Sequence, residues 1–325
     1  MKNLHYFYNG RSTLNFILEK LNIDKDKKIL YPEFTCDVLF QYRNRKYKYD
    51  FYSTNKDFSI NFNSLKKKIT KQTKVIIIIN FFGILQNTKK IYDFCKKKRI
   101  YLIIDDCHTY YNPKLKLNNW CDFKFFSPGK LFPKLDYGGI LVTYNKGISF
   151  KKEVKTCEKQ FPKSKFKYLI KSTIFYKAIK NFKKRPQYEN PYCFKSKYLV
   201  KNCILNKIDK KKIENLDYKT QKLISHKNFK FWIKISNQLK IKPLISFNDV
   251  KHGIPLYFVA KCKNKHDAQK IFDLGWKNNI EITSWPTLNR KMIKNRLLID
   301  YWNKLVFFPN IHRIKFNNKK ISWKI

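Results

Sequence analysis

An acid, a histidine and a lysine follow apolar runs at spacings that suit catalysis. Asp105 ends one apolar run, and His108 follows three residues later. Ser127 and Lys130 form a short Ser-Pro-Gly-Lys turn after the next run. A lysine amine can capture an aldehyde, and a nearby carboxylate can hold a proton on a ring nitrogen. These residue types predict a site that holds a carbonyl compound through Lys130.

A second group of candidate residues lies near the start of the chain. Gly10, Arg11 and Ser12 precede apolar residues that recur at helical spacing. A glycine turn that leads into a helix presents backbone N–H groups and the positive end of the helix dipole. Such a place can bind phosphate, although an ordinary capped helix has the same pattern.

Together the two groups fit the demands of pyridoxal 5'-phosphate (PLP). This cofactor needs a lysine for its aldehyde, a carboxylate at its pyridine nitrogen and donors for its phosphate. Lys130 and Asp105 would fill the first two roles. Gly10, Arg11, Ser12 and Ser127 would fill the third. Each residue alone has an ordinary alternative, since lysines are abundant here and His108 could be a buried core histidine.

Strand-like and helix-like segments alternate over the first half of the chain. Short apolar segments at 29–32, 47–52, 75–79, 101–104 and 123–126 predict strands, with helices between them. The β-branched run at 75–79 is typical of a strand buried on both faces of a parallel sheet. The predicted class is α/β, with a mostly parallel central sheet flanked by helices. Ligands bind at the carboxyl ends of such strands, where Asp105, Ser127 and Lys130 stand.

The second half predicts a different organisation. A single long helix is expected over 213–235, followed by a small α/β unit with a strand at 255–260 and a helix at 266–278. We therefore expect a large cofactor-binding α/β domain over 1–238, whose part at 150–238 is divergent and helical. A smaller C-terminal α/β domain is expected over 239–325.

Composition limits the function classes. The 325 residues are 43% apolar and carry a net charge of +48. Nucleic acid could explain this charge, but the lysines are scattered and accompany many Asn, Ile, Phe and Tyr, which favours compositional bias. The eight cysteines form no C-x-x-C pair, and neither a signal peptide nor an apolar run of bilayer length is evident. A cytoplasmic protein without a metal site is expected.

Several motifs in order resemble one family. They are Asn9 to Leu14, Tyr31 to Cys36, Asn80 to Gly83, Asp105 to His108, Ser127 to Lys130 with Gly138-Gly139, Trp285-Pro286, and Phe307 to His312. They are similar to the DegT/StrS family of PLP-dependent sugar aminotransferases, which has fold type I. The resemblance covers most of residues 5–143 and parts of 250–315.

The resemblance implies an activity and a set of roles. Lys130 would hold the cofactor and shuttle a proton, Asp105 would face the pyridine nitrogen, and His108 would contact the ring. The expected reaction moves an amino group from an amino acid to a nucleotide-linked keto sugar, in surface polysaccharide or amino-sugar biosynthesis. A homodimer is implied, because family sites are shared between two chains.

Departures from the family pattern leave alternatives open. Asp106 could replace Asp105, because the family commonly has Glu-Asp at this strand end. Lys124 and Lys134 are rivals of Lys130, and the serine stands unusually close to the lysine. A related dehydratase, a member without turnover, and a basic nucleic-acid-binding α/β protein remain the alternative functions.

Overall fold

The computed structural model describes most of the chain. It covers residues 3–40, 47–111, 120–133, 135, 137–145, 204–278, 280–284 and 288–311. The divergent part predicted from residue 150 lies outside the described residues up to 203. Trp285-Pro286, His312 and Lys134 lie outside them as well.

Strands and short helices alternate as the sequence predicts. The strands are β1 (Asn3–Phe7), β2 (Lys28–Pro32), β3 (Lys48–Tyr52), β4 (Thr73–Ile79), β5 (Tyr101–Asp105), β6 (Thr109–Tyr110), β7 (Phe123–Phe126), β8 (Gly139–Thr143), β9 (Lys242–Pro243), β10 (Ile254–Pro255), β11 (Tyr257–Lys261) and β12 (Leu305–Pro309). The α-helices are α1 (Gly10–Lys20), α2 (Phe62–Lys68), α3 (Lys89–Lys97), α4 (Lys207–Glu214), α5 (Tyr218–Gln238), α6 (Phe247–Val250), α7 (Lys265–Lys277), α8 (Arg290–Ile293) and α9 (Arg296–Asn303). Within the described ranges, no helix is both long enough and apolar enough to cross a membrane.

A seven-stranded sheet forms the centre, in the order β1-β8-β7-β5-β4-β2-β3. The pairs from β7 through β5, β4 and β2 to β3 are parallel, whereas β8 is antiparallel to both β7 and β1. The α/β class with a mostly parallel central sheet is therefore confirmed. This arrangement brings the carboxyl ends of β4, β5 and β7 to one edge of the sheet.

The two faces of the sheet pack against different helices. Successive side chains of a strand point to opposite faces of the sheet. In β4, β5 and β7 the odd-numbered residues therefore lie on one face and the even-numbered residues on the other. Ile77, Ile103 and Phe125 share one apolar core with α1 and the later part of the chain. Ile78 and Ile104 share another core with residues of α2 and α3. The same alternation decides on which face of the sheet a residue just beyond a strand end lies.

The later part of the chain forms a smaller antiparallel sheet, β12-β11-β9. Helix α5 packs against β9, β10 and β11, and Trp232 Nε1 donates to Pro309 O at 2.8 Å. The predicted long helix over 213–235 is present as α5, but it begins at Tyr218 and not at Ile213. Helix α4 ends at Glu214, and the Asp217 side chain caps a new helix by accepting from Thr220 N. The domain boundary at residue 238 stays a prediction.

Candidate active site

A cavity of about 540 Å³ lies at the carboxyl edge of the central sheet. One wall comes from strand ends and the start of α1: Gly10, Arg11, Asp105, Cys107, His108, Phe125, Ser127 and Lys130. The other wall comes from the later part of the chain: Leu256, Tyr257, Glu281, Thr283, Pro309 and Ile311. Its volume falls within the range of roughly 300–1,000 Å³ that small-molecule sites occupy.

Asp105 ends β5 and faces the cavity, on the same side of the sheet as Ile79 and Phe125. Its side chain is buried, and its Oδ1 accepts from Cys107 N at 2.8 Å. Burial raises the pKa of Asp105, while the charge of Lys130 and the Cys107 amide act against this rise. The pKa of Asp105 stays above its usual value, so a further positive charge beside this carboxylate would stabilise its ionised form.

Lys130 projects from a tight turn between β7 and β8. Pro128–Lys130 form one 3-10 turn, with Lys130 N donating to Ser127 O at 3.0 Å. A Cβ on Gly129 would stand 2.5 Å from Tyr137 O, so the turn packs too closely for a side chain there. Lys130 itself is exposed, and its charge influences Asp105, His108 and Tyr257. Its rival Lys124 is buried on the other face of the sheet and does not line the cavity.

His108 follows β5 and lies within the cavity wall. Its ring stacks on Phe82, with centroids 5.4 Å apart and an interplanar angle of 13°. Burial and the charge of Lys130 lower the pKa of His108 well below its usual value. The imidazole is therefore neutral at pH 7, and it offers a flat, uncharged surface beside Asp105.

The start of α1 forms the next part of the wall. Asn9 caps the helix, because its Oδ1 accepts from Ser12 N at 3.0 Å and from the Ser12 hydroxyl at 3.3 Å. Gly10 and Arg11 line the cavity, whereas Ser12 is fully buried and does not line it. The Ser127 hydroxyl donates to Gly138 O at 3.4 Å. The structure therefore brings together every predicted site residue except Ser12.

The cavity residues that were not predicted from the sequence include Cys107, Tyr137, Tyr257 and Glu281. The Tyr137 hydroxyl donates to Asp209 Oδ1 at 2.5 Å, which ties the loop after Lys130 to α4. Tyr137 stands beside the glycine pair, and that position could have drawn attention to it. Tyr257 and Glu281 carry no comparable signal, because only folding brings the later part of the chain to this edge.

The cavity fits PLP. A Cβ on Gly10 would stand 2.5 Å from Cys107 Sγ, so α1 begins with bare backbone against the strand end. Bare backbone N–H groups at a helix start suit a phosphate. Burial disfavours the ionised form of Asp105, and a protonated ring nitrogen beside it would stabilise that form. An exposed lysine amine lies in the same cavity.

Comparison with known proteins agrees with this fold. The protein Spr1654 from Streptococcus pneumoniae, described provisionally as a sugar aminotransferase and solved in its PMP form, has a TM-score of 0.62 at 13% identity. The alignment covers 96% of this chain and 84% of that chain. Helicobacter pylori PseC, an aminotransferase involved in the biosynthesis of pseudoaminic acid, has a TM-score of 0.58 at 14% identity, with 95% and 81% covered. NtdA from Bacillus subtilis with bound cofactor PMP has a TM-score of 0.61 at 12% identity, with 95% and 69% covered.

The chain therefore shares the fold of these aminotransferases, fold type I. Residues 6–154 match the model of the DegT/DnrJ/EryC1/StrS aminotransferase family, the same family that the sequence motifs resemble. Over these residues the chain is similar to a family of aminotransferases, and the similar structures include forms solved with PLP or PMP. No curated protein sequence matches the chain significantly.

Proposed function

We propose that the chain transfers an amino group from an amino acid to a keto sugar carried on a nucleotide. One observation carries the proposal. Asp105, His108, Lys130 and the start of α1 are far apart in the sequence, yet they line one cavity. An acid, a neutral imidazole and an exposed amine are the groups that PLP chemistry requires of a protein.

The proposed roles follow from burial and charge. When bound, PLP supplies an aldehyde that takes up amines and a ring that withdraws electrons from the attached carbon. Lys130 Nζ would bind the aldehyde, and its free amine would accept and return a proton at the substrate carbon. Asp105 would hold the proton on the ring nitrogen, because a buried carboxylate stabilises an adjacent cation. His108 is uncharged and would contact the ring without competing for that cation.

Phosphate binding is assigned to the start of α1 and to Ser127. Gly10 and Arg11 lie at the positive end of an eleven-residue helix and line the cavity. Arg11 adds a charge that stays positive, since a guanidinium is not deprotonated in proteins. The role predicted for Ser12 has less support, because its amide and hydroxyl both donate to Asn9.

A nucleotide-linked sugar suits the charge of this protein. A net charge of +48 raises the local concentration of anionic substrates, and a nucleoside diphosphate is anionic. We propose that the product serves surface polysaccharide or amino-sugar biosynthesis, and that the protein acts as a cytoplasmic homodimer, as the family resemblance implies. Light scattering of the purified protein tests the dimer, and a monomeric mass with full activity would contradict it.

Covalent capture of the cofactor tests the proposal most directly. The purified protein is incubated with PLP, reduced with borohydride and digested, and the modified peptide is located by mass spectrometry. We expect the label on Lys130. The Lys130→Ala variant should lose the label and keep its fold, whereas Lys134→Ala should keep both. A label on Lys124 or Lys134 would move the assignment, and no labelled peptide would end the cofactor proposal.

Substrate assays separate the remaining alternatives. We expect amino transfer from glutamate to a nucleotide-linked keto sugar. Chromatography detects the amino sugar that forms. Loss of water from the same sugar would favour a related dehydratase. Tight binding to mixed DNA that falls steeply with salt, without cofactor capture, would favour the nucleic-acid alternative that the net charge suggests.

A further inference from the structure

A second acid–lysine set lies behind Asp105, on the other face of the same sheet edge. Asp106 follows β5, Lys124 belongs to β7, Tyr111 follows β6, and Asn80 follows β4. All four are buried, with no side chain more than 1% exposed. None of the four lines the cavity.

These four residues form one connected hydrogen-bond network. The Tyr111 hydroxyl donates to Asp106 Oδ2 at 2.5 Å and accepts from Lys124 Nζ at 2.9 Å. Lys124 Nζ lies 3.9 Å from Asp106 Oδ2. Asn80 Nδ2 donates to Asp106 Oδ1, and Asn80 Oδ1 accepts from Gln86 N at 2.9 Å. Both oxygens of Asp106 are therefore held in place.

The network is joined to the cavity wall through the backbone. Asp106 N donates to Phe125 O at 2.8 Å, and Asn80 N donates to Asp105 O at 3.0 Å. Phe125 and Asp105 are register partners, and both line the cavity. The peptide unit that joins Asp105 to Asp106 is thus held by hydrogen bonds on both sides, from β7 and from the residue after β4.

Charge couples the two acids as well. Asp106 acts on Asp105 as a like charge and contributes to the raised pKa of Asp105. Burial raises the pKa of Asp106, and Lys124, Tyr111 and Asn80 act against this rise because they stabilise its ionised form. An adjacent buried carboxylate would otherwise oppose the charge that Asp105 needs in order to hold a ring cation.

We propose that Lys124, Tyr111 and Asp106 form a positioning network that holds the end of β5 and offsets the charge of Asp106, so that Asp105 faces the cofactor as a carboxylate. Lys124 is then a positioning residue rather than a rival of Lys130. This inference rests on the proposed function, because it assigns a role toward the same cofactor. Buried networks of this kind favour one geometry only while every member is present.

The test compares cofactor affinity among variants. The dissociation constant of PLP is measured by absorbance titration of the apoprotein, and the absorbance maximum of the bound cofactor is recorded. Lys124→Met should weaken binding on the order of tenfold and shift the maximum, because Asp106 is left uncompensated beside Asp105. The double variant Asp106→Asn/Lys124→Met should return affinity to within about threefold of the wild type, because no uncompensated charge remains.

A matched control uses a different lysine–aspartate pair, at the start of β7. Lys96 Nζ pairs with Asp122 at 2.7 Å just before β7, away from the cavity. Lys96→Met should leave cofactor affinity and the absorbance maximum unchanged. If Lys124→Met fails to fold, Tyr111→Phe removes the bridging hydroxyl and keeps the ring, and it should still weaken binding by about threefold.

The outcomes separate this inference from the proposed function. A wild-type protein that does not bind PLP would contradict the proposed function itself. A wild-type protein that binds PLP, with Lys124→Met and Tyr111→Phe binding equally well, would overturn only the positioning network. A double variant that binds as poorly as Lys124→Met would also overturn it, because a purely structural loss gains nothing from Asp106→Asn.

Discussion

Two acid–lysine sets lie back to back across one sheet edge, and they differ in access. Asp105 and Lys130 line a cavity, and the lysine is exposed. Asp106 and Lys124 are sealed on the opposite face, where Tyr111 bridges them. Because both sets have the same residue types, their chemistry is decided by the face on which each side chain lies.

The difference teaches how a lysine-rich chain selects one reactive lysine. The amine of Lys124 donates to Tyr111 and is closed off from solvent, so it cannot reach an aldehyde. Lys130 stands on a turn beyond the strand, and it is exposed within the described part of the chain. Exposure at the cavity, and not lysine content, marks the residue that can bind a cofactor.

Removal of the exposed amine should have the largest effect. Lys130→Ala is expected to lower turnover by about 10²- to 10⁴-fold, because proton transfer at the substrate carbon loses its acid–base group. Its melting temperature should match that of the wild type, since the side chain is exposed. Steady-state kinetics and thermal unfolding measure the two results. Full turnover in this variant would show that Lys130 is not the reactive lysine, and the contrast between Lys130 and Lys124 would then be wrong.

Removal of the sealed amine should affect stability instead. Lys124→Met leaves Asp106 buried without its cation, and we expect the free energy of unfolding to fall by about 3–5 kcal/mol. Urea denaturation of the apoprotein measures this change. Lys96→Met should cost less, because that side chain is 49% exposed and its buried partner Asp122 still accepts from Leu102 N and from Asn145 Nδ2. Equal losses in the two variants would show that Lys124 is not held in a sealed network.

The two acids can be compared by the same substitution. Asp105→Asn keeps an oxygen for Cys107 N but removes the charge, and turnover should fall by about 10²- to 10³-fold. Asp106→Asn should lower turnover less, because its carboxylate does not line the cavity. Kinetics at saturating cofactor give both values. A larger loss for Asp106→Asn would reverse the assignment of the ring partner.

The smallest effect is expected where α1 meets the cavity. Gly10→Ala places a Cβ 2.5 Å from Cys107 Sγ, and overpacking of this kind costs about 1–3 kcal/mol. Cofactor affinity should fall together with stability, because Gly10 lines the site. Titration and urea denaturation measure these. The double variant Gly10→Ala/Cys107→Ala should recover most of both, and no recovery would mean that the clash is not the cause.

Much of this site could be predicted because its residues follow strand ends in order. Apolar runs located β4, β5 and β7, and several residues that follow them line the cavity, among them His108, Ser127 and Lys130. Alternation along the strands could also have separated Asp105 from Asp106, since odd positions such as Ile103 face one core and even positions such as Ile104 face the other. The break between α4 and α5 was missed, because Asn215 and Asp217 act there through caps and not through periodicity.

The sequence by itself determined the α/β class, the positions of five strands of the central sheet (β2, β3, β4, β5 and β7) and the motif set around Asp105 and Lys130. These depend on local periodicity and on residue type, which the chain carries at each position. Only the tertiary structure decided that Lys124 is sealed, that Ser12 lies outside the cavity, and that Tyr257 and Glu281 close it. Those outcomes depend on register and on packing between distant segments, which no single stretch of sequence contains.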